Sequence, residues 1–271
     1  MELEVLVATV QQTDLSLTEK MHLTQNAVIA NQCGQWRYIE SKKDCGTVRM
    51  LSSDTKGVGI NRNLALQLAQ GDILLFADDD VTYYDSELQG VINAFRELPK
   101  ADVIFFSLDY TRNGQIIDRR RHKTKRLHIW NSLRYGAARM AIRREALEKK
   151  GLSFSALFGG GCLYSSGEDT LFILDALRSG LRLYSHSYVL GSCAKDSSSW
   201  FSGYNDKYCY DRGALVACAF PKTKHFMKWY FALKICRKAK KPFKTVIRQM
   251  NLGIRGFRDL KPYCPDVPAK E

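Results

Sequence analysis

Residues 73–77, Ile-Leu-Leu-Phe-Ala, form an unbroken apolar run that ends in three consecutive aspartates, Asp78, Asp79 and Asp80. An apolar run of that length without alternation reads as a strand buried on both faces, and such strands belong to parallel sheets covered by helices. Adjacent carboxylates repel one another and resist burial. Three of them directly after a buried strand mark either a solvated loop tip or a site for a divalent cation, because Mg2+ and Mn2+ take oxygen ligands. In open α/β sheets the ligand crevice lies at the carboxyl ends of the strands, where this triplet falls. Along an extended chain, alternation would send Asp78 and Asp80 to one side and Asp79 to the other. One carboxylate of such a D-x-D pair can hold a metal that bridges a diphosphate, while its neighbour takes a ribose hydroxyl or a metal-bound water.

The flanking sequence alternates strand and helix. Leu3 to Val10 reads as a buried strand stopped by Gln11-Gln12-Thr13-Asp14, and residues 17–24 as a short helix capped by Ser16 or Thr18. Ala27 to Ala30 is a second apolar run, with further strands expected over 36–40 and 48–51. Gly57-Val58-Gly59 leads into a helix with Ile60, Leu64, Ala65 and Leu68 on one face and Gly71 as its expected C′ residue. Leu88, Val91, Ile92 and Phe95 mark another helix, and Val103 to Leu108 another strand. Gly159-Gly160-Gly161 reads as a flexible loop. Gly167-Glu168-Asp169-Thr170 opens a helix carried by Leu171, Leu174, Ala176 and Leu177 and ended by Gly180, before a short strand at Leu181 to Tyr184. Such an order predicts a Rossmann-like α/β fold: a mixed, mostly parallel sheet with helices on both faces.

Hydrophobic residues make up 45% of the 271 positions and charged residues 25%, which excludes disorder, collagen and coiled coil as descriptions of the chain. No apolar run approaches the roughly 18–20 residues needed to span a bilayer. The first ten residues run straight into a strand pattern, so no secretory signal is expected. Eight scattered cysteines without a C-x-x-C pair read as reduced, mostly buried thiols of a cytosolic protein, without a dedicated zinc site. The formal net charge of +13 is unevenly distributed: residues 1–110 carry a net −7, residues 111–150 a net +10, and residues 212–258 hold 13 basic side chains and no acidic one. In that last stretch Lys222, Lys224, Lys228, Lys234, Arg237, Lys238, Lys240, Lys241, Lys244 and Arg248 are interleaved with Phe226, Trp229, Tyr230, Phe231, Leu233 and Ile235. The expected organisation is a catalytic domain over 1–211 and a basic helical extension over 212–271. The extension suits an anionic membrane surface. The plainer alternative is a helical subdomain whose aromatics face its core and whose lysines face water. Nucleic acid phosphates are a third option.

A second acid pair, Glu168-Asp169, stands at the expected helix start, where acids also suit the helix dipole. Taken together, Gly57-Val58-Gly59-Ile60-Asn61-Arg62-Asn63, Gly71-Asp72-Ile73-Leu74-Leu75-Phe76-Ala77-Asp78-Asp79-Asp80 and Gly167-Glu168-Asp169-Thr170-Leu171-Phe172 resemble, in order and spacing, the family 2 glycosyltransferases. Those enzymes have the GT-A fold and use nucleotide-sugars, and the matching order covers roughly residues 1–195. The resemblance implies a metal set of Asp80, with Asp78 as its nucleotide-contacting partner, for Mn2+ or Mg2+. It implies donor contacts from Thr9, Asn31, Arg62 and Asp79, and Asp169 as catalytic base. Glu168 would touch the acceptor, and Trp200, in Ser198-Ser199-Trp200-Phe201, would stack on a sugar. Asn31-Gln32 stands where the family usually has paired aspartates that read the base, so the nucleotide stays open, a UDP-sugar being the first candidate. His186, in a strand, is left out of the metal set.

The function implied is metal-dependent, inverting transfer of a sugar from a nucleotide-diphosphate to a hydroxyl of a glycan or lipid-linked acceptor. Bacterial surface-polysaccharide synthesis in the cytoplasm or at the inner membrane face is the expected setting. One rival is a sugar-phosphate nucleotidyltransferase. It would carry a glycine-rich basic loop after the first strand, whereas residues 11–16 contain no Gly, Lys or Arg. The other is a nucleic-acid-binding protein using the basic blocks, which would have no use for Asp78–Asp80; no nucleic acid partner is expected.

Overall fold

In the computed structural model, the elements of the first half are β1 (Leu3–Val10), α1 (Leu17–Lys20), β2 (Asn26–Gln32), β3 (Arg37–Lys43), β4 (Gly46–Ser53), α2 (Val58–Leu68), β5 (Ile73–Asp78), β6 (Val81–Tyr83), α3 (Gln89–Glu97) and β7 (Val103–Arg112). The basic block supplies β8 (Gln115–Asp118), β9 (Lys125–Arg126), α4 (Ile129–Ser132), a 3-10 turn at Ala137–Arg139, β10 (Met140–Arg143) and α5 (Arg144–Lys149). Then come α6 (Glu168–Arg178), β11 (Leu183–Ala194), α7 (Asp206–Ala219), α8 (Lys224–Ala239) and α9 (Phe243–Arg258). The structure describes residues 1–85, 87–119, 121–194 and 203–265.

The strands form one mixed sheet in the order β3-β4-β2-β1-β5-β10-β7-β11-β6, with β8 on β7 and β9 on β11. β4, β2, β1 and β5 are parallel neighbours, as are β7 and β11, and all six point the same way because β10 lies antiparallel to both β5 and β7. Period-two alternation sorts the side chains of the central strands between two helical layers. Val5, Val7, Ile29, Leu75 and Ala77 meet Leu17 of α1 and Val91 and Phe95 of α3 on one face. Leu6, Val28, Leu74 and Phe76 meet Ala65 of α2, Leu147 of α5 and Phe172 and Ile173 of α6 on the other. Strands buried on both faces need no polar positions, which explains the unbroken apolar run of β5.

Three local expectations are corrected. α2 ends at Leu68, with Ala69 already extended, so Gly71 is not its C′ residue. Gly71 instead passes so close to β1 that a Cβ there would lie 2.7 Å from the Cβ of Glu4. β10 escaped notice because four residues, Met-Ala-Ile-Arg, are too few to show a period inside a basic block. β11 runs for 12 residues rather than stopping at Tyr184. Its polar positions hide strand character but find partners: Ser185 Oγ donates to the Lys123 carbonyl at 2.7 Å, and His186 Nε2 lies 3.3 Å from Glu97 Oε2. All eight cysteines are free, and only Cys209 is buried, so the thiols are mostly half-buried rather than hidden.

Packing divides the chain into two compact units, Met1–Ser155 with Asp169–Ser198, and Ala156–Glu168 with Ser199–Glu271. The division differs from the expected border at 211 because residues before it already pack with the last helices. In the second unit Phe158 stacks on Tyr164 at 4.8 Å, Phe257 lies 5.9 Å from both rings, and Ser165 Oγ donates to the buried Asp211 at 2.5 Å. Its core comprises Cys209, Val216, Met227, Ala232, Ile235, Val246 and Met250. α7 and α9 approach closely at Gly213 and Gly253, where a Cβ would collide with the carbonyls of Met250 and Tyr210.

Candidate active site

The site assembles at the carboxyl end of β5, inside the first unit. β1 and β5 pair with Ala8 opposite Asp78, which brings Thr9 beside Asp79, and Thr9 Oγ1 donates to Asp79 Oδ2 at 2.5 Å. β5 ends at Asp78, and Asp79 and Asp80 lie in a turn, so strict alternation no longer governs them. The expected pairing of Asp78 with Asp80 on one side gives way to three separate partners. Asp78 Oδ1 accepts from Arg62 Nη2 at 2.8 Å, Asp79 accepts from Thr9, and Asp80 Oδ2 lies 3.5 Å from Cys193 Sγ on β11.

The start of α2 performs three positioning tasks with three consecutive residues. Asn61 donates from Nδ2 to the carbonyls of Thr9 at 3.0 Å and Ala30 at 2.9 Å, tying down the ends of β1 and β2. Arg62, 4% exposed, reaches Asp78 with Nη2 and Asp169 Oδ1 with Nη1, both at 2.8 Å. Asn63 exchanges two hydrogen bonds with the backbone of Phe154, at 2.9 and 2.8 Å. Phe154 in turn stacks on Phe172 at 4.3 Å and sits 5.3 Å from the Arg62 guanidinium carbon. Asn61, Asn63 and Phe154 were not singled out as functional from the sequence. Their signal was the G-x-x-x-x-R-N wording itself, of which only the arginine had an obvious chemical use.

Asp169 thus stands at the start of α6 with Oδ1 on Arg62 and Oδ2 facing Gly136, where an added Cβ would come within 3.0 Å of it. Glu168, the first residue of α6, accepts the Gly167 N–H at 3.0 Å. Asn31, expected to meet the donor, is fully buried; its amide bonds both backbone groups of Gln12 and the Ser52 hydroxyl. It holds the loop after β1 in place instead of presenting itself to a ligand. Thr9 is also buried, at 3% exposure. Trp200 lies outside the described residues.

Asp80 is open to water along one edge, yet the protein around its carboxyl, together with the charge of Asp78, raises its pKa to about 6. Unlike Asp78, it has no cationic side chain beside it among the described residues. A carboxylate held next to two others, with no cation beside it among the described residues, suits a hard divalent cation. Among the described residues no group of three or more His, Cys, Asp and Glu is arranged to enclose a metal by itself. A cleft of about 340 Å3 opens beside the acids, lined by Leu108 and Tyr110 of β7, residues 133–136, Ala138, Arg139 and Cys193. Cys193 touches Asp80 and Gly136 faces Asp169, so the cleft borders both acid clusters.

The sequence model of Glycosyl transferase family 2 matches residues 35–156. An uncharacterized glycosyltransferase of Haemophilus influenzae is 25% identical over 171 residues, which is 60% of this chain; the chain spans 55% of the length of that curated relative. In fold, the chain is similar to S. aureus TarS 1-349 in complex with UDP-GlcNAc, at 15% identity and TM-score 0.60 over 99% of this chain and 95% of that one. The same protein in complex with UDP gives the same figures. The strand order with its antiparallel β10, the acid-tipped β5 and these likenesses agree: the chain has the GT-A fold, and its residues 35–156 match glycosyltransferase family 2.

Proposed function

We propose that this protein transfers a sugar from a nucleotide-diphosphate donor to an acceptor hydroxyl with inversion at the anomeric carbon, and that Asp169 is the base. One observation carries the reading: a single guanidinium, that of Arg62, bonds both Asp78 and Asp169. Two acid clusters far apart in sequence therefore lie within the span of one sugar. Asp169 takes the acceptor proton as its oxygen attacks; Arg62 fixes the direction of that carboxylate and leaves Oδ2 toward the cleft. UDP and UDP-GlcNAc in the TarS structures support a UDP-sugar donor. Thr9 and Asp79 line the donor end, with Asn31 acting behind them on the loop after β1. Asp80, helped by Asp78, would hold Mn2+ or Mg2+. When bound, the ion neutralises the departing diphosphate at the point where charge develops. Glu168 and Trp200 remain the acceptor-side candidates.

The acceptor is a glycan or lipid-linked glycan, and the setting the inner face of an anionic membrane. On α8, Phe226, Trp229, Tyr230 and Leu233 recur at helical spacing and are 70%, 51%, 37% and 52% exposed, while Met227, Ala232 and Ile235 fill the core side. Lysines and arginines flank this stripe and no acid does, a combination that complements anionic headgroups. Among the described residues no helix is long and apolar enough to cross a membrane.

A panel of UDP-, GDP- and dTDP-sugars with and without Mn2+ tests the donor assignment by thermal shift and donor hydrolysis. A Mn2+-dependent rise in melting temperature with one nucleotide class supports it. A flat response to all three rejects it. Co-sedimentation with vesicles containing phosphatidylglycerol tests the membrane surface; equal binding to neutral vesicles rejects it.

A further inference from the structure

Arg139 has no role in the chemistry above, yet it is held in an unusual state. It closes the 3-10 turn before β10, is 9% exposed and lines the cleft beside the acids. Its guanidinium carbon lies 5.6 Å from the centre of the Tyr135 ring, and its Nη1 is buried with no hydrogen-bond partner among the described residues. Among the described residues it makes no ion pair. Arginine cannot escape burial by losing its proton. An uncompensated buried cation is strongly unfavourable, and the usual remedy is an anion. A second cation stands nearby: Arg134, at the rim of the same cleft, lies 5.4 Å from the same Tyr135 ring.

The walls indicate which substrate supplies the anion. Tyr110 belongs to β7, Cys193 to β11, and residues 133–139 lead into β10; in the sheet all three strands lie on one side of β5. Thr9, assigned to the donor, belongs to β1, and Asn31, which holds the loop after β1, to β2, both on the other side. Gly136 in the cleft wall faces Oδ2 of Asp169, the oxygen turned toward the acceptor hydroxyl in the proposed reaction.

We propose that Arg139, with Arg134 at the rim, binds an anionic oxygen group, phosphate or carboxylate, carried by the acceptor. The acceptor is thereby an acidic or phosphate-bearing glycan rather than a neutral one. The assignment to the acceptor rests on the glycosyl-transfer reading; the existence of the anion position does not. Arginine supplies two parallel donors to such a group, so lysine replaces it poorly.

The test is a thermal-shift titration of the full chain with inorganic phosphate and with acetate at constant ionic strength, free and saturated with UDP and Mg2+, in wild type, Arg139→Gln and Arg139→Lys. Wild type should show a saturable phosphate or acetate shift that adds to the UDP shift, and whichever anion binds more tightly identifies the group. Arg139→Gln should weaken that binding at least tenfold and leave the UDP shift unchanged, with Arg139→Lys intermediate. Unchanged phosphate and acetate binding in Arg139→Gln overturns the proposal. Competition between phosphate and UDP in wild type overturns the assignment to the acceptor and gives the position to the donor diphosphate. A protein that UDP does not stabilise, but whose phosphate shift needs Arg139, keeps the anion position and rejects the donor reading instead. Should Arg139→Gln fail to fold, phenylglyoxal labelling of wild type decides: phosphate or acetate must slow modification of Arg139, and equal labelling with and without both anions overturns the proposal.

Discussion

The two units handle awkward side chains in opposite ways. The sheet unit pairs buried arginines with acids at two places: Glu4 bonds Arg49 in the core, and the buried Arg62 lies between Asp78 and Asp169. The helical unit does the reverse on α8 and turns large apolar groups outward, Phe226 at 70% and Leu233 at 52% exposure. Interior pairs fix atoms relative to one another, which a reaction centre needs. An outward apolar stripe gains nothing in the isolated protein and becomes favourable only when something covers it. The contrast separates a region that holds geometry from one whose large apolar side chains stand open to solvent.

Five variants can break or sharpen that contrast. Asp169→Asn has the largest expected effect: turnover falls by about 10^2–10^4-fold, while the UDP-induced rise in melting temperature persists. Wild-type turnover in this variant removes Asp169 as the base.

Stability is read out in the next three. Met227→Ala, on the core side of α8, should cost about 2–5 kcal/mol in urea unfolding. Phe226→Ser with Leu233→Ser, on the outward side, should change stability by only about 0.5 kcal/mol yet abolish binding to anionic vesicles. Equal costs on the two sides of α8 would contradict an unpartnered face. Arg62→Gln leaves two neighbouring carboxylates without their shared cation. Because Asp78 and Asp169 are partly open to water, the expected loss is about 1–3 kcal/mol, accompanied by a fall in turnover.

The smallest effect concerns Asp80. Its folded pKa of about 6 lies above the ordinary 3.8, so the folded state binds this proton more tightly than the unfolded one. In the metal-free protein that contribution is complete below about pH 4 and is lost as pH rises toward 6. Asp80→Asn should therefore raise the melting temperature of metal-free protein at pH 7.5 by a few degrees at most, since water screens part of the charge, and the gain should vanish near pH 4. In wild type, Mn2+ affinity should fall as pH drops through 6, because protonation removes the ligand. A pH-independent difference between the two proteins would place the cause elsewhere.

Much of the fold was legible in the chain because its signals are local. Apolar runs gave β1, β2, β5 and β7, 3.6-residue spacing gave α2, α3 and α6, and the two acid motifs named Asp78, Asp80 and Asp169 as candidates. The aromatics of α8 were legible as residues but not as a face, since both its core and outward sides are apolar and sequence spacing fits either. Partners across the fold were not legible. That Arg62 would bond Asp78 and Asp169 together, that Asn31 would turn inward onto Gln12, and that Arg139 would be buried without an anion depend on which strands become neighbours. The insertion of β10 between β5 and β7 sets that order, and four residues in a basic block carry too little pattern to announce it. Local periodicity is written in the side chains themselves; pairing between distant residues exists only once the sheet has closed its order.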